Sequence, residues 1–303
     1  MSGSETAIET TDLTKHYGAI VAVDHLNLSV NRGEIFGFLG PNGSGKSTTM
    51  RMLLGLARPT AGRAQVFGLD VHTHLPEILR RTGALIENPT FYPFLSGREN
   101  LRVMGDLTGT PDSRVEVVLG LVDMQADADR PFSSYSLGMK QRIGVAGTLL
   151  TEPELLILDE PGNGLDPAGI VEMRTLMQQL RTAGHTVFVS SHVLHEIEQV
   201  CDRIAILNHG KVVAQGSVQE LLGATDRVEI QVTPLEEAAA VLRALPWVSG
   251  VAVEGGALLV TVPIERSADL TRALGEHGMY PSVIRPRQES LERYFLELTG
   301  AAA

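Results

Sequence analysis

The chain has 303 residues, which allows two domains, each with its own core. A net charge of −11 with no basic tract gives no general attraction to nucleic acid or to an anionic membrane surface. The single cysteine, Cys201, excludes an internal disulfide and suits a reducing cytosol; no apolar run approaches the roughly 18 residues of a membrane span, and Met1 to Thr10 lacks the regions of a secretory signal.

After a polar lead over residues 1–7, Ile8 to Leu28 reads as strands joined by a turn at Tyr17-Gly18. Tyr17 is available to stack on a purine face, although an aromatic beside a turn is ordinarily core. Ile35 to Leu39 is an apolar run suited to a buried strand, and Met50, Leu53, Leu54 and Ala57 fall at helical spacing. Between them lies Gly40-Pro41-Asn42-Gly43-Ser44-Gly45-Lys46-Ser47-Thr48-Thr49, which fits the phosphate-loop pattern G-x-x-x-x-G-K-[ST] in its strand–turn–helix context. Glycines let backbone N–H groups converge on phosphates, the helix N-terminus adds its dipole, Lys46 reaches the terminal phosphates and Ser47 ligates magnesium.

Gly62 to Val71 resembles a hairpin, Glu77 to Arg81 a helix, and Thr82 to Ile86 a strand ending at Glu87. From Ser96 to about Leu150 the pattern is helical, broken at Pro111 and Pro131, with Leu101, Met104, Val115, Val118, Leu119 and Leu121 expected inside. At its end, Ser134-Tyr135-Ser136-Leu137-Gly138-Met139-Lys140-Gln141-Arg142 feeds a helix; that is a second anion site or a simple capped helix, which look alike in sequence.

Leu155 to Leu158 has the pattern of a strand buried on both faces of a parallel sheet, and it ends in Asp159-Glu160. Two carboxylates at such an edge are costly without a task. Asp159 is placed to hold the magnesium of the phosphate-loop site, and Glu160 to orient or deprotonate the attacking water. Gly164-Leu165-Asp166-Pro167 makes a turn, a helix runs to about Ala183, and Thr186 to Ser190 forms another strand ending in Ser191-His192. His192 and His195 are spaced to share a helix face, but no third ligand lies at a usual metal spacing. A strand-end His192 suits contact with a phosphate or a water.

These motifs, in this order and spacing, resemble the nucleotide-binding subunits of ATP-binding-cassette (ABC) transporters over about Ile8 to Ala224. The resemblance implies that Tyr17 stacks on adenine, that Gly40 to Thr48 is the phosphate loop, and that Ser136 to Met139 with Lys140-Gln141-Arg142 is the signature loop. It makes Asp159 the magnesium-linked aspartate, Glu160 the catalytic base, Asp166 part of the loop linking two sites across a dimer, and His192 the switch histidine. Two departures stand out. The signature reads Tyr-Ser-Leu-Gly-Met where Leu-Ser-Gly-Gly-Gln is usual, keeping Ser136 and Gly138, the residues expected nearest the γ-phosphate. Glu87 stands where the family usually has glutamine, near magnesium and the membrane partner; this, with Phe91 to Ser96, is similar to the branch that exports drugs, bacitracin-like and lantibiotic peptides.

From Thr225 the rhythm changes to β-α-β-β-α-β, the ferredoxin-like order: Val228 to Val232, Leu235 to Leu245, Val248 to Val253, Ala257 to Val262, Ala268 to His277 and Pro281 to Arg285. A last helix is expected, with Leu291, Tyr294, Phe295 and Leu298 on one stripe. Seven arginines and no lysine against eleven acids make this part unsuited to nucleic acid. Such appended domains in the family resemble regulatory or dimerising modules; a packing extension without a ligand is the alternative.

The expected fold class is therefore α/β, a P-loop ABC nucleotide-binding domain over 8–224 with a helical insert over about 96–150, followed over 225–303 by an α+β ferredoxin-like domain. The resemblance implies an ATP hydrolase using ATP and Mg2+, two copies closing head to tail, and an integral-membrane permease as partner at the cytoplasmic face of the cell membrane. Each ATP would sit between Lys46 and Ser47 of one copy and Ser136 and Gly138 of the other. Import remains open, since some importers also append a ferredoxin-like domain, but Glu87 and its loop favour export. A soluble DNA- or ribosome-associated cassette is disfavoured: there is one phosphate loop, no long coiled coil and no zinc cysteines. Glu160 and His192 together disfavour a non-hydrolysing regulator.

Overall fold

The computed structural model describes residues 6–87, 89–222 and 227–287. The chain divides into two compact units, Met1–Val218 and Gln219–Ala303.

The first unit opens with an antiparallel hairpin of β1 (Thr6–Tyr17) and β2 (Ile20–Asn31), turning at Gly18 with φ +59. Thr10 is buried in it but satisfied: its hydroxyl donates to Leu26 O and accepts from Leu28 N, both at 2.9 Å. Then come β3 (Ile35–Leu39), α1 (Lys46–Leu53), β4 (Ala61–Val66) and β5 (Leu69–Asp70). The helix is shorter than its apolar spacing suggests, because Gly55, at φ +68, turns the chain away just after it. Next are α2 (Leu75–Arg80), carrying Pro76 in its first turn, and β6 (Thr82–Leu85).

The helical insert follows as α3 (Gly97–Thr108), α4 (Asp112–Leu121) and α5 (Leu137–Leu149). Ser96 and Glu99 start α3 with a reciprocal capping box, and Gly109 at φ +72 ends it. Met104, expected inside, is only half-buried, and Leu121, also expected inside, is 40% exposed; Val122, just after it, takes the inner place as α4 ends. The unit continues with β7 (Leu155–Asp159), α6 (Pro167–Thr182), β8 (Thr186–Ser191), α7 (Leu194–Glu198), β9 (Arg203–Asn208) and β10 (Lys211–Ser217), and the short α8 (Val218–Leu221) comes next.

Two sheets result, β2-β1-β4-β5 and β10-β9-β3-β8-β7-β6. In the second, β6, β7, β8, β3 and β9 run parallel, and β10 closes one edge antiparallel. Every residue of β3, β7 and β8 is buried, the continuous apolar pattern that a sheet covered on both faces requires. Phe188 packs against Phe36 and Phe38 at ring-centroid distances of 5.9 and 5.2 Å. Gly37 between them admits no side chain, since a Cβ there would lie 2.5 Å from Ile197 Cγ2.

The second unit contains β11 (Arg227–Gln231), α9 (Leu235–Arg243), β12 (Gly250–Glu254), β13 (Ala257–Thr261), α10 (Ser267–Glu276) and β14 (Val283–Pro286). Its sheet order is β12-β13-β11-β14 with every pairing antiparallel, the ferredoxin-like arrangement. Val228, Ile230, Leu258 and Val260 pack with Ala238, Leu242, Leu270 and Leu274 of the helices in a core of their own. The expected final helix lies outside the described residues.

Candidate active site

The parallel strands β3, β7 and β8 lie side by side, so the segments leaving their C-terminal ends meet. Gly40 leaves β3 in the left-handed region, φ +156, and a Cβ there would lie 2.5 Å from both Leu207 O and Ser44 Oγ. Gly45, at φ +110, is packed as tightly against Ala22 O and serves as N-cap of α1. No side chain caps α1 and no acid occupies its first turn, so its leading N–H groups stay available to an anion. The Ser44 hydroxyl is buried with no hydrogen-bond partner among the described residues. An open helix end and an orphaned buried hydroxyl fit a bound phosphate group.

Lys46 is 4% exposed. Its ammonium donates to Gly40 O at 2.8 Å and Pro41 O at 3.3 Å and lies 3.3 Å from Glu160 Oε1. The other oxygen, Glu160 Oε2, is 3.0 Å from His192 Nδ1. Lys46, Glu160 and His192 thus form one chain of contacts, although they lie on the segments that follow three different strands. Glu160 adopts φ +49, unusual for a residue with a side chain, which turns the backbone sharply after Asp159. Asp159 is buried at the end of β7 and accepts a 2.5 Å hydrogen bond from Ser190 Oγ, which accepts in turn from Glu160 N at 2.9 Å. Sequence reading passed over Ser190; two serines ending an otherwise apolar strand were the available signal.

Ser136, Gly138 and Asp166 gather elsewhere. Ser136 caps α5 by accepting from Met139 N at 3.2 Å, and Asp166 caps α6 by accepting from Gly169 N at 2.8 Å. Leu137, where the family usually has glycine, packs toward the Gly164 turn: a Cβ on Gly164 would lie 2.9 Å from Leu137 Cδ2. Tyr135 is buried, with its hydroxyl donating to Asp127 O at 2.8 Å. Among the described residues, no hydrogen bond or ion pair links Ser136, Gly138 or Asp166 to Lys46, Asp159 or Glu160.

Three further candidates are placed as follows. Tyr17 is 48% exposed and not core, and Lys15 Nζ stands 4.8 Å from its ring centroid. Glu87, expected beside magnesium, lies on an exposed loop at φ +67, and its carboxylate pairs with the Arg51 guanidinium of α1. His192 precedes α7 whereas His195 lies within it, and the described residues contain no cluster of three metal-ligating side chains. Near His192, burial pushes the Glu196 carboxyl above its ordinary pKa, against the pull of His192, His195 and Arg174.

The family model described as ABC transporter matches residues 23–163. The bacitracin transport ATP-binding protein BcrA of Bacillus licheniformis is 41% identical over 97% of this chain and 98% of its own length. This chain belongs to the ABC transporter family. The daunorubicin/doxorubicin resistance ATP-binding protein DrrA of Streptomyces peucetius is 36% identical over 98% of this ABC chain and 93% of its own. Among solved structures, an ATP-binding subunit of an ABC transporter is 30% identical with a TM-score of 0.64, covering 71% of this chain and 92% of that one. As a member, the chain is an ATP-binding, ATP-hydrolysing transporter subunit, and no helix of its described residues is long and apolar enough to cross a membrane.

Proposed function

We propose that this subunit works as a pair of copies closing head to tail and powers export, through a separately encoded membrane permease, of a drug, peptide antibiotic or lipid-like molecule. The observation that carries the reading is the meeting of Lys46, Glu160 and His192 beside the buried Asp159. The export direction draws support from relatives named for bacitracin transport and for daunorubicin/doxorubicin resistance, which match nearly the whole chain.

In this mechanism the amides of Gly43 to Ser47 and the Lys46 ammonium hold the ATP phosphates, and the exposed face of Tyr17 receives the adenine. Ser47 and Asp159 would hold magnesium, which neutralises charge gathering on the phosphate oxygens. Glu87 would join that set only by leaving Arg51, with which its exposed carboxylate is paired. Ser136 and Gly138 at the head of α5 reach the γ-phosphate bound by the other copy, and Asp166 lies at the seam. Nucleotide phosphates draw the Lys46 ammonium away from Glu160, whose carboxylate then takes a proton from the attacking water while His192 holds it in place. Closure and reopening of the pair pass through the loop at Glu87 and the helical insert to the permease, which places the chain on the cytoplasmic face of the membrane.

The test is to tag the chain in its native host, solubilise membranes gently, identify what co-purifies, and assay ATP-driven transport in inside-out vesicles carrying the pair. A polytopic membrane partner and ATP-dependent uptake of a drug or peptide antibiotic into those vesicles are expected. Ribosomal or DNA-repair proteins with no membrane partner would overturn the reading.

A further inference from the structure

Ser190 is fully buried (0% exposed) at the end of a strand otherwise made for an apolar core. In the parallel register of β7 and β8 it stands directly opposite Asp159, 31 positions away in sequence. Its hydroxyl has one proton and gives it to Asp159 Oδ1 at 2.5 Å; its oxygen receives the Glu160 amide proton at 2.9 Å. Thr10 shows what a hydroxyl does when it only satisfies its own burial, joining a backbone carbonyl to a backbone amide. Ser190 instead joins a side-chain carboxylate to the amide of the neighbouring acid, and hydrogen bonds in such a chain polarise and strengthen one another.

Both partners need holding. The last torsion of Asp159 has only a broad, roughly two-fold preference of its own, and Oδ2 carries no hydrogen bond among the described residues, so the bond at Oδ1 is what fixes the carboxylate. Glu160 sits at φ +49, a conformation that persists only where the surroundings over-determine it, and its amide has Ser190 as partner.

We propose that Ser190 is a positioning residue for ATP hydrolysis: one buried hydroxyl clamps the Asp159 carboxylate and the Glu160 amide, fixing the magnesium-holding group and the base in a single relation. The inference rests on the roles given above to Asp159 and Glu160. It assigns Ser190 no contact with the nucleotide.

The test uses the full-length chain with a non-hydrolysable ATP analogue, following free Mn2+ by electron paramagnetic resonance as a magnesium substitute. Turnover with Mg2+ is measured alongside. Ser190→Ala is expected to weaken Mn2+ binding and lower kcat by about tenfold or more, as loss of an outer-shell partner does, while metal-free nucleotide affinity stays within about twofold. Ser190→Thr, which keeps the hydroxyl, is expected to restore both. Ser190→Cys, close in volume but a weak donor, carries the same expectation as alanine should alanine fail to fold. Asp159→Asn is the control. If it weakens Mn2+ binding while the serine variants lower only the melting temperature, the positioning role is overturned and the Asp159 assignment stands. If Asp159→Asn leaves Mn2+ affinity unchanged, the magnesium assignment falls, and the clamp with it.

Discussion

Lys46, at 4% exposure, directs its ammonium to Gly40 O, Pro41 O and Glu160. Those partners only balance its burial; a nucleotide offers stronger ones. A hydrogen bond to a charged group is worth about 1.5–3 kcal/mol, so Lys46→Ala is expected to raise the ATP dissociation constant about 10- to 100-fold in a fluorescence titration. Unchanged affinity would contradict the phosphate assignment. Glu160→Gln keeps size and shape but removes the proposed base, and should bind ATP while losing about 10²- to 10⁴-fold in turnover. Turnover within threefold of the parent would sink that role. Cys201 makes a third test. Burial, with Asp202 and Glu34 adding to it, pushes its thiol pKa well up, so a disulfide reagent at pH 8 should label it only as fast as the chain unfolds. Prompt labelling of native protein would show that this thiol is not packed beneath β3.

At the scale of elements, the site depends on how its strands begin as much as on how they end. Glu154, just before β7, pairs with Arg81, just before β6, and with Arg32, in the turn before β3. The two guanidiniums lie 4.0 and 4.9 Å from the Phe67 ring. Hydrogen bonding to Arg81, with help from Arg32, holds the Glu154 carboxyl below its ordinary pKa of 4.5 against partial desolvation. A depressed folded pKa means stability that is present above the unfolded value and lost as pH falls through the folded one. Glu154→Gln should therefore lower the melting temperature at pH 7, and the deficit should shrink as pH drops below about 4.5. A pH-independent deficit would assign the effect to packing.

The phosphate loop and Asp159-Glu160 were legible in the sequence because each is contiguous and its strand context is local. The Ser190–Asp159 contact was not, since it depends on the register of two strands that sequence alone does not align. Leu121 was misplaced for a related reason: its helix ends there, and Val122 turns inward in its stead. For Glu87 the family position suggests magnesium, whereas its pairing with Arg51 depends on where α1 and the loop after β6 meet, which sequence alone does not give.

At the scale of the whole molecule, the proposed function gives each copy two half-sites. Lys46, Asp159, Glu160 and His192 stand together; Ser136 and Gly138 stand at the head of another helix, with no hydrogen bond or ion pair to them among the described residues. In the proposed head-to-tail pair the halves join across two copies, and mixing two inactive variants tests this directly. Lys46→Ala breaks one half-site and Ser136→Glu, which sets a negative charge against the phosphate, breaks the other. Alone, each gives pairs with both sites broken. In mixed pairs one site takes both faults and the other has neither, so ATP turnover should reappear in the mixture, with about half of randomly formed pairs carrying one intact site. No recovery on mixing, with both variants folded and pairing, would contradict a site shared between copies.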